Sequence, residues 1–572
     1  MEVFLSALRT WVIDRLIHEG YTGIDLNFFL VTEKNHGDFT THSAFAAAKK
    51  FAINPMIIAQ RICFHTQTMK GVEKAVVAGS GFVNITIEPH LWGKWVHNIL
   101  DNPTHYGQRP SKNSSVNIEY VSANPTGPLH IGHGRCAVIG DVLANIMNSA
   151  GYTVTREYYV NDAGNQITLL AKSVYQAYKT LLGENQNEEV AYPGEYIQEI
   201  GKQLLEQEGT AWMNVPSSVW EPYIKLFSVQ RILHLIQKDL DDLRIHHDVF
   251  TCERFLYQNG NIEETFSQLR ARGWVYEGIM EAPKSYTSEN EIESVSLPLL
   301  RTSLWGDTKD RALRKPDGTW TYFAADLAYH MDKVRRGFSV CIDILGADHI
   351  GHVTRLKGAI ETLADHSTQL EMICCQMVRF LSEGNPIKMS KRTGNFISIQ
   401  DILHHVDVDT FRFFMVNKKG DTHFDLNIED MKACTKDNAI FYIQYAHARC
   451  CSVLRHGTEI WPFLKEKGWW RDVILNSWGK EHQEGIGLAL DFPRLIESAA
   501  QTREPHIICT GLYKLAQCFH SLWQQGSRQT ELRFLDEKEM MRSLAHLVWV
   551  YAISIVLKRG LAILGIEAKE AL

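Results

Sequence analysis

The stretch from Ser115 to Val160 leaves this chain the fewest choices of fold. Val116, Ile118 and Tyr120 alternate as a half-buried strand does, and Pro125, Gly127 and Pro128 then break the chain into a tight loop. From Ile131 onward, Val138, Ile139, Val142, Leu143, Ile146 and Met147 repeat with helical spacing as far as Gly151, and Thr153–Val160 reads as a second strand. Strand, loop, helix, strand is one right-handed βαβ unit. Its loop sits at the carboxyl end of a strand, where open α/β sheets bind ligands.

The rest of the chain is organised around that unit. Its 572 residues are too many for one core and predict three to four domains. With 45% hydrophobic and 22% charged residues, no long disordered span is expected. Residues 1–110 read as a small α/β domain with helices over Leu5–His18 and Ala44–Phe51, a third starting at Asn54-Pro55, and strand character across Val76–Ile87. Pro103–Ser115 is the linker. Beyond the βαβ unit, Ile167–Leu182, Tyr196–Glu208 and Trp220–Leu243 show helical spacing and predict a helical insertion near 166–310. Sheet signals return at Trp320–Phe323, Val340–Leu345 and Leu370–Val378, with helices over Ala325–Arg336 and Val353–Leu363 between them. The fold class expected is a Rossmann-type, doubly wound α/β catalytic domain over 111–395. A connecting segment follows at 396–435, then an all-α domain over 436–572.

Charge and cysteine content narrow the setting. The net charge of −7 does not advertise a nucleic-acid binder, yet binding needs only a local basic face. Residues 436–572 carry 17 Lys and Arg against 15 Asp and Glu, the mildly basic part of an acidic chain. Eleven cysteines, two adjacent pairs among them and no Cys-x-x-Cys, fit free thiols in a reducing cytoplasm and not a zinc site. Glu2, Arg9 and Asp14 interrupt the apolar N-terminus as an amphipathic helix would, not a secretory signal. The apolar run Leu544–Leu557 is too short to span a bilayer and reads as a buried helix, so no membrane association is expected.

Two motifs carry chemistry. His130-Ile-Gly-His133 follows a strand and heads a helix, whose free N–H groups and positive dipole end suit phosphate. Gly132 would let a planar base approach the backbone. Two imidazoles three residues apart could hold a metal, but no third ligand of suitable spacing accompanies them. Lys388-Met-Ser-Lys-Arg392 leaves the second half-sheet on the same edge, where a loop of this kind can bring an ammonium onto a leaving pyrophosphate.

Together the two motifs resemble the paired signatures of class I aminoacyl-tRNA synthetases, with Arg392 standing where the family usually has Ser. Other words are similar to bacterial arginyl-tRNA synthetases: Glu119–His130, Tyr158–Gln166, Tyr192–Tyr196, Asp317–Asp326, Gly346–His352 and Tyr442–Arg449. The resemblance runs over nearly the whole chain. It implies ligation of L-arginine to tRNA(Arg) with ATP as substrate and Mg²⁺ as cofactor, by a cytoplasmic and mostly monomeric family. Asp409-Thr-Phe-Arg412 stands in the place of the Asp-Ala-Leu-Arg word that names the family's anticodon-binding domain; only its ends match. In that domain Phe441, Tyr442, Tyr445 and Arg449 could stack on splayed bases, though core packing explains many such aromatics.

The same likeness assigns the site. His130, His133, Lys391 and, as the lesser candidate, Lys388 are the catalytic positions. Pro125, Thr126, Gly127, Pro128, His130, Gly132, His133, Met389, Ser390 and Lys391 are those at ATP. Glu119, Asn124, Tyr322, Asp326 and His349 match the arginine-binding positions; Tyr322 and Asp326 face the guanidinium, and Glu119, Asn124 and His349 the amino-acid end. No protein-bound metal is implied. A planar five-donor guanidinium calls for carboxylates in a fixed plane, which gives Asp326 a physical rationale. A cysteine-specific relative would favour a zinc site, and a glutamate-specific one a basic pocket in place of Glu119 and Asp326.

Overall fold

A computed structural model of the chain describes residues 1–31, 36–184, 190–279, 296–346, 350–376, 378–382, 385–386, 397–433, 435, 438–475 and 478–572. The chain divides into two units. One comprises Pro110–Ala433 with Arg503–His506; the other comprises Met1–Arg109, Cys434–Thr502 and Ile507–Leu572.

In the Pro110–Ala433 unit, five strands make one parallel sheet: β1 (Ser115–Glu119), β2 (Thr153–Val160), β3 (Val249–Cys252), β4 (Val340–Gly346) and β5 (Gln369–Cys375). Their spatial order is β5-β4-β1-β2-β3. The chain therefore winds outward from β1 in one direction, then returns to β1's other side and winds the opposite way. The switch point lies between β1 and β4, where Glu119 pairs in register with Asp343. That is the crevice at which doubly wound sheets take their ligands, and the expected fold class holds. Strands in such a sheet are covered on both faces, and Val116, Ile118, Cys341, Ile342 and Ile344 are accordingly buried.

Helix α1 (Ile131–Ser149) crosses from β1 to β2. Tyr120 explains its close approach, since a Cβ on Gly140 would fall 2.2 Å from the Tyr120 ring. Three helices follow β2: α2 (Asn165–Leu181), α3 (Glu195–Glu208) and α4 (Ser217–Asp242). These lie where helical spacing was read at Ile167–Leu182, Tyr196–Glu208 and Trp220–Leu243, but the stretch 166–310 also holds strands: Val249–Cys252, and Val275–Ile279 paired antiparallel with Ser296–Leu300. Val249–Cys252 is the sheet's edge strand β3, four residues long and paired with β2. Four residues give too little alternation to read. The expected strand at Trp320–Phe323 is also corrected. Trp320 makes only an isolated bridge with Arg314, and Thr321 caps a helix by accepting the Ala324 N–H. β-Favouring aromatics there occupy the first turn of α6 (Tyr322–Arg335), after the short α5 (Glu253–Gln258). The expected strand Leu370–Val378 is β5 followed by a separate strand, Val378–Ser382, which pairs with Phe424–Asn427. Helix α7 (Ile350–Leu363) joins β4 to β5, and α8 (Val408–Val416) lies in the stretch read as a connecting segment.

The other unit holds a four-stranded antiparallel sheet in the order Phe29–Leu30, Phe39–Thr41, Phe82–Ile87, Val72–Ala78. The last two form a hairpin around Gly79 and Gly81, so the strand character read across Val76–Ile87 is two strands. Helices Glu2–His18, Ser43–Phe51 and Pro55–Gln67 cover this sheet's chain segment, and Asn54 caps the third. The C-terminal part is helical: Ala439–Ile460, Lys480–Thr502, His506–Gly526 and Met540–Ile563. The last is 24 residues long and apolar enough by composition to cross a membrane, yet most of it is buried among its neighbours.

Candidate active site

The loop after β1 departs from regular backbone at once. Val121 and Ser122 have φ of +70° and +36°, a region that a β-branched residue adopts only where its surroundings enforce it. Ser122 supplies that enforcement. Its hydroxyl donates to Glu119 Oε1 at 2.9 Å and accepts the Tyr159 N–H at 3.0 Å. Pro125, Thr126 and Gly127 are buried behind it, and the Tyr196 hydroxyl at the start of α3 donates to the Thr126 carbonyl at 2.9 Å. Asp239 of α4 accepts the Leu129 N–H at 2.9 Å. Asn124 is exposed and donates to Gln166 Oε1 at 3.0 Å.

His130 and His133 open α1 as a reciprocal cap. His130 Nδ1 accepts the Gly132 N–H at 3.1 Å, and His133 Nδ1 accepts the His130 N–H at 3.2 Å. The rings stack with centroids 3.8 Å apart. A neutral imidazole that accepts at Nδ1 carries its proton at Nε2. Each ring therefore keeps an N–H donor on the side away from the backbone, at the positive end of a helix. Gly132 serves this pair directly, because a Cβ there would lie 2.9 Å from His130 Cε1.

The segment Ile397–Gln400 is stitched to the same loop. Ile131 donates its N–H to the Ile397 carbonyl at 3.2 Å, Ile399 donates to the Leu129 carbonyl at 3.1 Å, and Gln400 Nε2 donates to Asp239 Oδ1 at 3.1 Å. Lys388, Met389, Ser390, Lys391 and Arg392, like His349, lie outside the described residues.

Facing the loop, α6 presents Tyr322, Asp326 and His330 at four-residue spacing, on one side of the helix. Tyr322 is exposed at the first turn. Asp326, half-buried one turn further, has its pKa pushed up to about 6; burial is the main cause, with Glu119 and Asp343 adding to it and His330 and Arg355 opposing. Glu253, the first residue of α5, was not singled out in the sequence. It is buried, its Oε2 has no hydrogen-bond partner, and its pKa is pushed up to about 7 by burial and then by the carboxylates of Asp326 and Asp162. Tyr257 reaches its other oxygen at 3.4 Å. The only sign in the sequence is an acid immediately after a β-rich tetrapeptide, and that strand itself escaped reading. Tyr159 stands within electrostatic reach of Glu253, Asp326 and Glu119.

Glu119 is buried and not on an outer strand face. Its Oε2 accepts from Lys333 Nζ at 2.6 Å, and the same ammonium donates to Asp343 Oδ1 at 2.8 Å. Glu119, His330 and Asp343 together have ligand atoms within 4.8 Å of one another, a spacing a metal ion could use. The Lys333 ammonium already occupies the middle of that group, so it does not suit a cation. Asp409-Thr-Phe-Arg412 lies on α8 within this unit. Arg412 is fully buried and donates to Asp141 Oδ2 of α1 at 2.5 Å and to the Leu243 carbonyl at 2.8 Å. Arg244 binds Asp409 at 2.6 Å. These residues pin α1 in place.

Known proteins match this arrangement along its length. The family model described as the catalytic domain of class I tRNA synthetases (R) covers residues 95–449. The arginyl-tRNA synthetase N-terminal domain model covers 8–87, and the DALR anticodon-binding domain model covers 443–572, beyond Asp409–Arg412. The fold and the histidine-headed switch point are thus those of a class I aminoacyl-tRNA synthetase. An arginine–tRNA ligase of Rhodospirillum rubrum is 39% identical over 549 residues, 94% of this chain and 92% of that one. One from Ruegeria pomeroyi is 41% identical over 538 residues, with the same coverage. The fold also matches the arginyl-tRNA synthetase of Thermus thermophilus, with a TM-score of 0.74 at 20% identity, covering 99% of this chain and all of that one. The chain belongs to the arginyl-tRNA synthetase family.

Proposed function

We propose that the crevice between β1 and β4 activates L-arginine with ATP and passes it to the 3′ end of tRNA(Arg), releasing pyrophosphate and AMP. The observation that carries the substrate is the Glu253–Asp326 pair. Two carboxylates whose burial opposes their ionisation stand beside Tyr159, Tyr257 and Tyr322, and a planar cation relieves both at once. Glu119 and Asn124, with His349, take the amino-acid end. The arginine carboxylate then attacks the α-phosphate of ATP in line, and positioning and charge stabilisation carry the step. His130 and His133 donate from Nε2 to the phosphates, next to the backbone of Pro125–Pro128 and Gly132.

Lys391, with Lys388 in support and Met389 and Ser390 beside them, stabilises the departing pyrophosphate. Removing one such donor costs about 10²–10³ in rate. Mg²⁺ would share the phosphate charge. It arrives with the triphosphate, since the acidic cluster at Glu119 and Asp343 is filled by Lys333. The 2′-hydroxyl of the terminal adenosine of the tRNA takes the arginyl group, as class I chemistry has it, and residues 436–572 read the anticodon. The enzyme works as a cytoplasmic monomer.

The test is ATP–pyrophosphate exchange with purified protein, a tRNA preparation and arginine, with lysine and citrulline as competitors. Arginine-dependent exchange supports the reading, and equal exchange with citrulline would overturn the guanidinium assignment. In the same assay Lys391→Ala should cripple exchange while Arg392→Ser stays within about threefold of the parent.

A further inference from the structure

Between Glu119 and Asp326 runs an unbroken line of buried polar contacts that the two-carboxylate substrate site does not itself need. Glu119 accepts from Lys333 Nζ at 2.6 Å, Lys333 donates to Asp343 Oδ1 at 2.8 Å, and Asp343 Oδ2 meets His330 Nε2 at 2.7 Å. His330 Nδ1 meets the main-chain carbonyl of Asp326 at 2.7 Å. Lys333 is fully buried, and His330 and Asp343 nearly so.

The proton count follows from the partners. A carbonyl oxygen can only accept, so His330 Nδ1 carries a proton. Asp343 already accepts from Lys333 on its other oxygen, and against the opposing effect of burial the Lys333 ammonium and the His330 ring hold it as a carboxylate with its pKa well below the usual range. Its Oδ2 is then also an acceptor, and His330 Nε2 must carry a proton as well. His330 is an imidazolium, in line with the rise of its pKa beside Asp343 against the opposing effects of burial and Lys333. Two cations, Lys333 and His330, thus face two anions, Glu119 and Asp343. The group is neutral as a whole and every member has a partner, the condition under which buried charges are tolerated.

We infer that Lys333 and His330 are positioning residues for arginine activation: they fix the Glu119 carboxylate at one end of the amino-acid site and the backbone of Asp326 at the other, so that both ends of the substrate are held at one set distance. Neither residue touches substrate. Lys333 acts through Glu119, and its ammonium also lies 4.4 Å from the Tyr329 ring, which closes the group from the side. His330 acts through Asp326, four residues before it on α6. An arginine side chain is long and flexible, and a site that holds its two ends independently would lose orientation at the reacting carboxylate.

The charged and titratable groups around Glu119 come from three elements. Lys333, Tyr329, His330 and Asp326 lie on α6, Asp343 on β4, and Tyr159 and Glu157 on β2, Glu157 being paired with Arg336. Removing a positive charge from such a set favours the protonated form of its carboxylates. The inference rests on the reading that Glu119 binds the amino-acid end, and the experiment separates the two. Arginine-dependent ATP–pyrophosphate exchange with tRNA present is measured against pH for Glu119→Gln, Lys333→Met, Lys333→Arg and His330→Gln, with thermal melting of each.

The expected results are a rise in KM for arginine of tenfold or more in Glu119→Gln and Lys333→Met, with KM for ATP within twofold of the parent. Lys333→Arg should recover part of the loss. In His330→Gln the acid limb of kcat/KM for arginine should move to higher pH. If Glu119→Gln leaves KM for arginine unchanged, the reading of Glu119 fails. If Glu119→Gln raises it while folded Lys333→Met and His330→Gln keep the parent KM and pH profile, the positioning roles fail alone. Should Lys333→Met not fold, His330→Gln and Lys333→Arg decide on the same two readouts.

Discussion

Two pairs of carboxylates occupy the same crevice and live under opposite conditions. Glu119 and Asp343 share an ammonium and sit beside an imidazolium, so their charges are matched before any substrate arrives. For Glu253 and Asp326 burial outweighs the charges around them. Burial pushes both pKa values up; Asp326 adds to the rise at Glu253, Glu119 and Asp343 add to it at Asp326 against His330 and Arg355, and Oε2 of Glu253 has no hydrogen-bond partner. Carboxylates that share an ammonium belong to the frame, and carboxylates whose ionisation burial opposes are those a cationic ligand would relieve. A buried acid does not by itself identify a binding site; the state of its neighbours does.

The sharpest way to break this contrast is Asp326→Asn. If the Glu253–Asp326 pair holds the guanidinium, losing half of it leaves a buried cation short of a partner, at a cost of about 2–5 kcal/mol. Arginine-dependent kcat/KM in the exchange assay should fall by about 30-fold or more. Loss of less than threefold would place the guanidinium elsewhere.

Glu253→Gln comes next and has two signs. Arginine kcat/KM should drop by about tenfold or more, while the arginine-free protein should melt higher than the parent at pH 8, because an uncompensated buried charge has been removed. The pH dependence tests the same point. A carboxyl whose pKa is raised on folding, from about 4.5 to about 7 for Glu253, makes the folded state bind more protons than the unfolded one between those values. Its contribution to stability is present below about 4.5 and is lost as pH rises to about 7. Arginine binding should run the other way and tighten as pH rises through about 6 to 7, where Asp326 and Glu253 ionise. Calorimetric titration between pH 5.5 and 8 reads both limbs.

On the matched side, Arg336→Leu should act on stability and not on substrate. Arg336 meets both oxygens of fully buried Glu157 at 2.8 and 2.9 Å, with Asn117 and Thr251 completing the set. Breaking that pair should cost about 2–4 kcal/mol in urea denaturation while leaving the arginine KM within about twofold. The smallest effect is expected of Ser122→Ala. It removes one hydrogen bond to Glu119 and should reduce kcat/KM by about fivefold, worth about 1 kcal/mol.

Much of the fold was legible because its signals are long. β1, α1 and β2 carry 5, 19 and 8 residues of unbroken pattern, and the sheet they begin is the one observed. Val249–Cys252 was not legible, since four residues cannot display a period, and Trp320–Phe323 misled because aromatics favour strands while Thr321 was positioned to cap a helix. At the site, spacing alone pointed to His130 and His133. Glu119 and Asp326 came from family likeness, and nothing in the sequence separates an acid salt-bridged within the frame from one whose ionisation burial opposes. That difference depends on Lys333 and His330, which lie on α6 more than 200 residues from Glu119 along the chain and meet it only through the register of β1 with β4.

The backbone bonds between Leu129–Ile131 and Ile397–Ile399 have a consequence for chain entropy: they close a loop of more than 260 residues, at a cost only about 0.6 kcal/mol above that of a loop half as long. The histidine loop and Ile397–Ile399, more than 260 residues apart in sequence, are thus joined by two backbone hydrogen bonds, with a third bond beside them from Gln400 to Asp239 of α4.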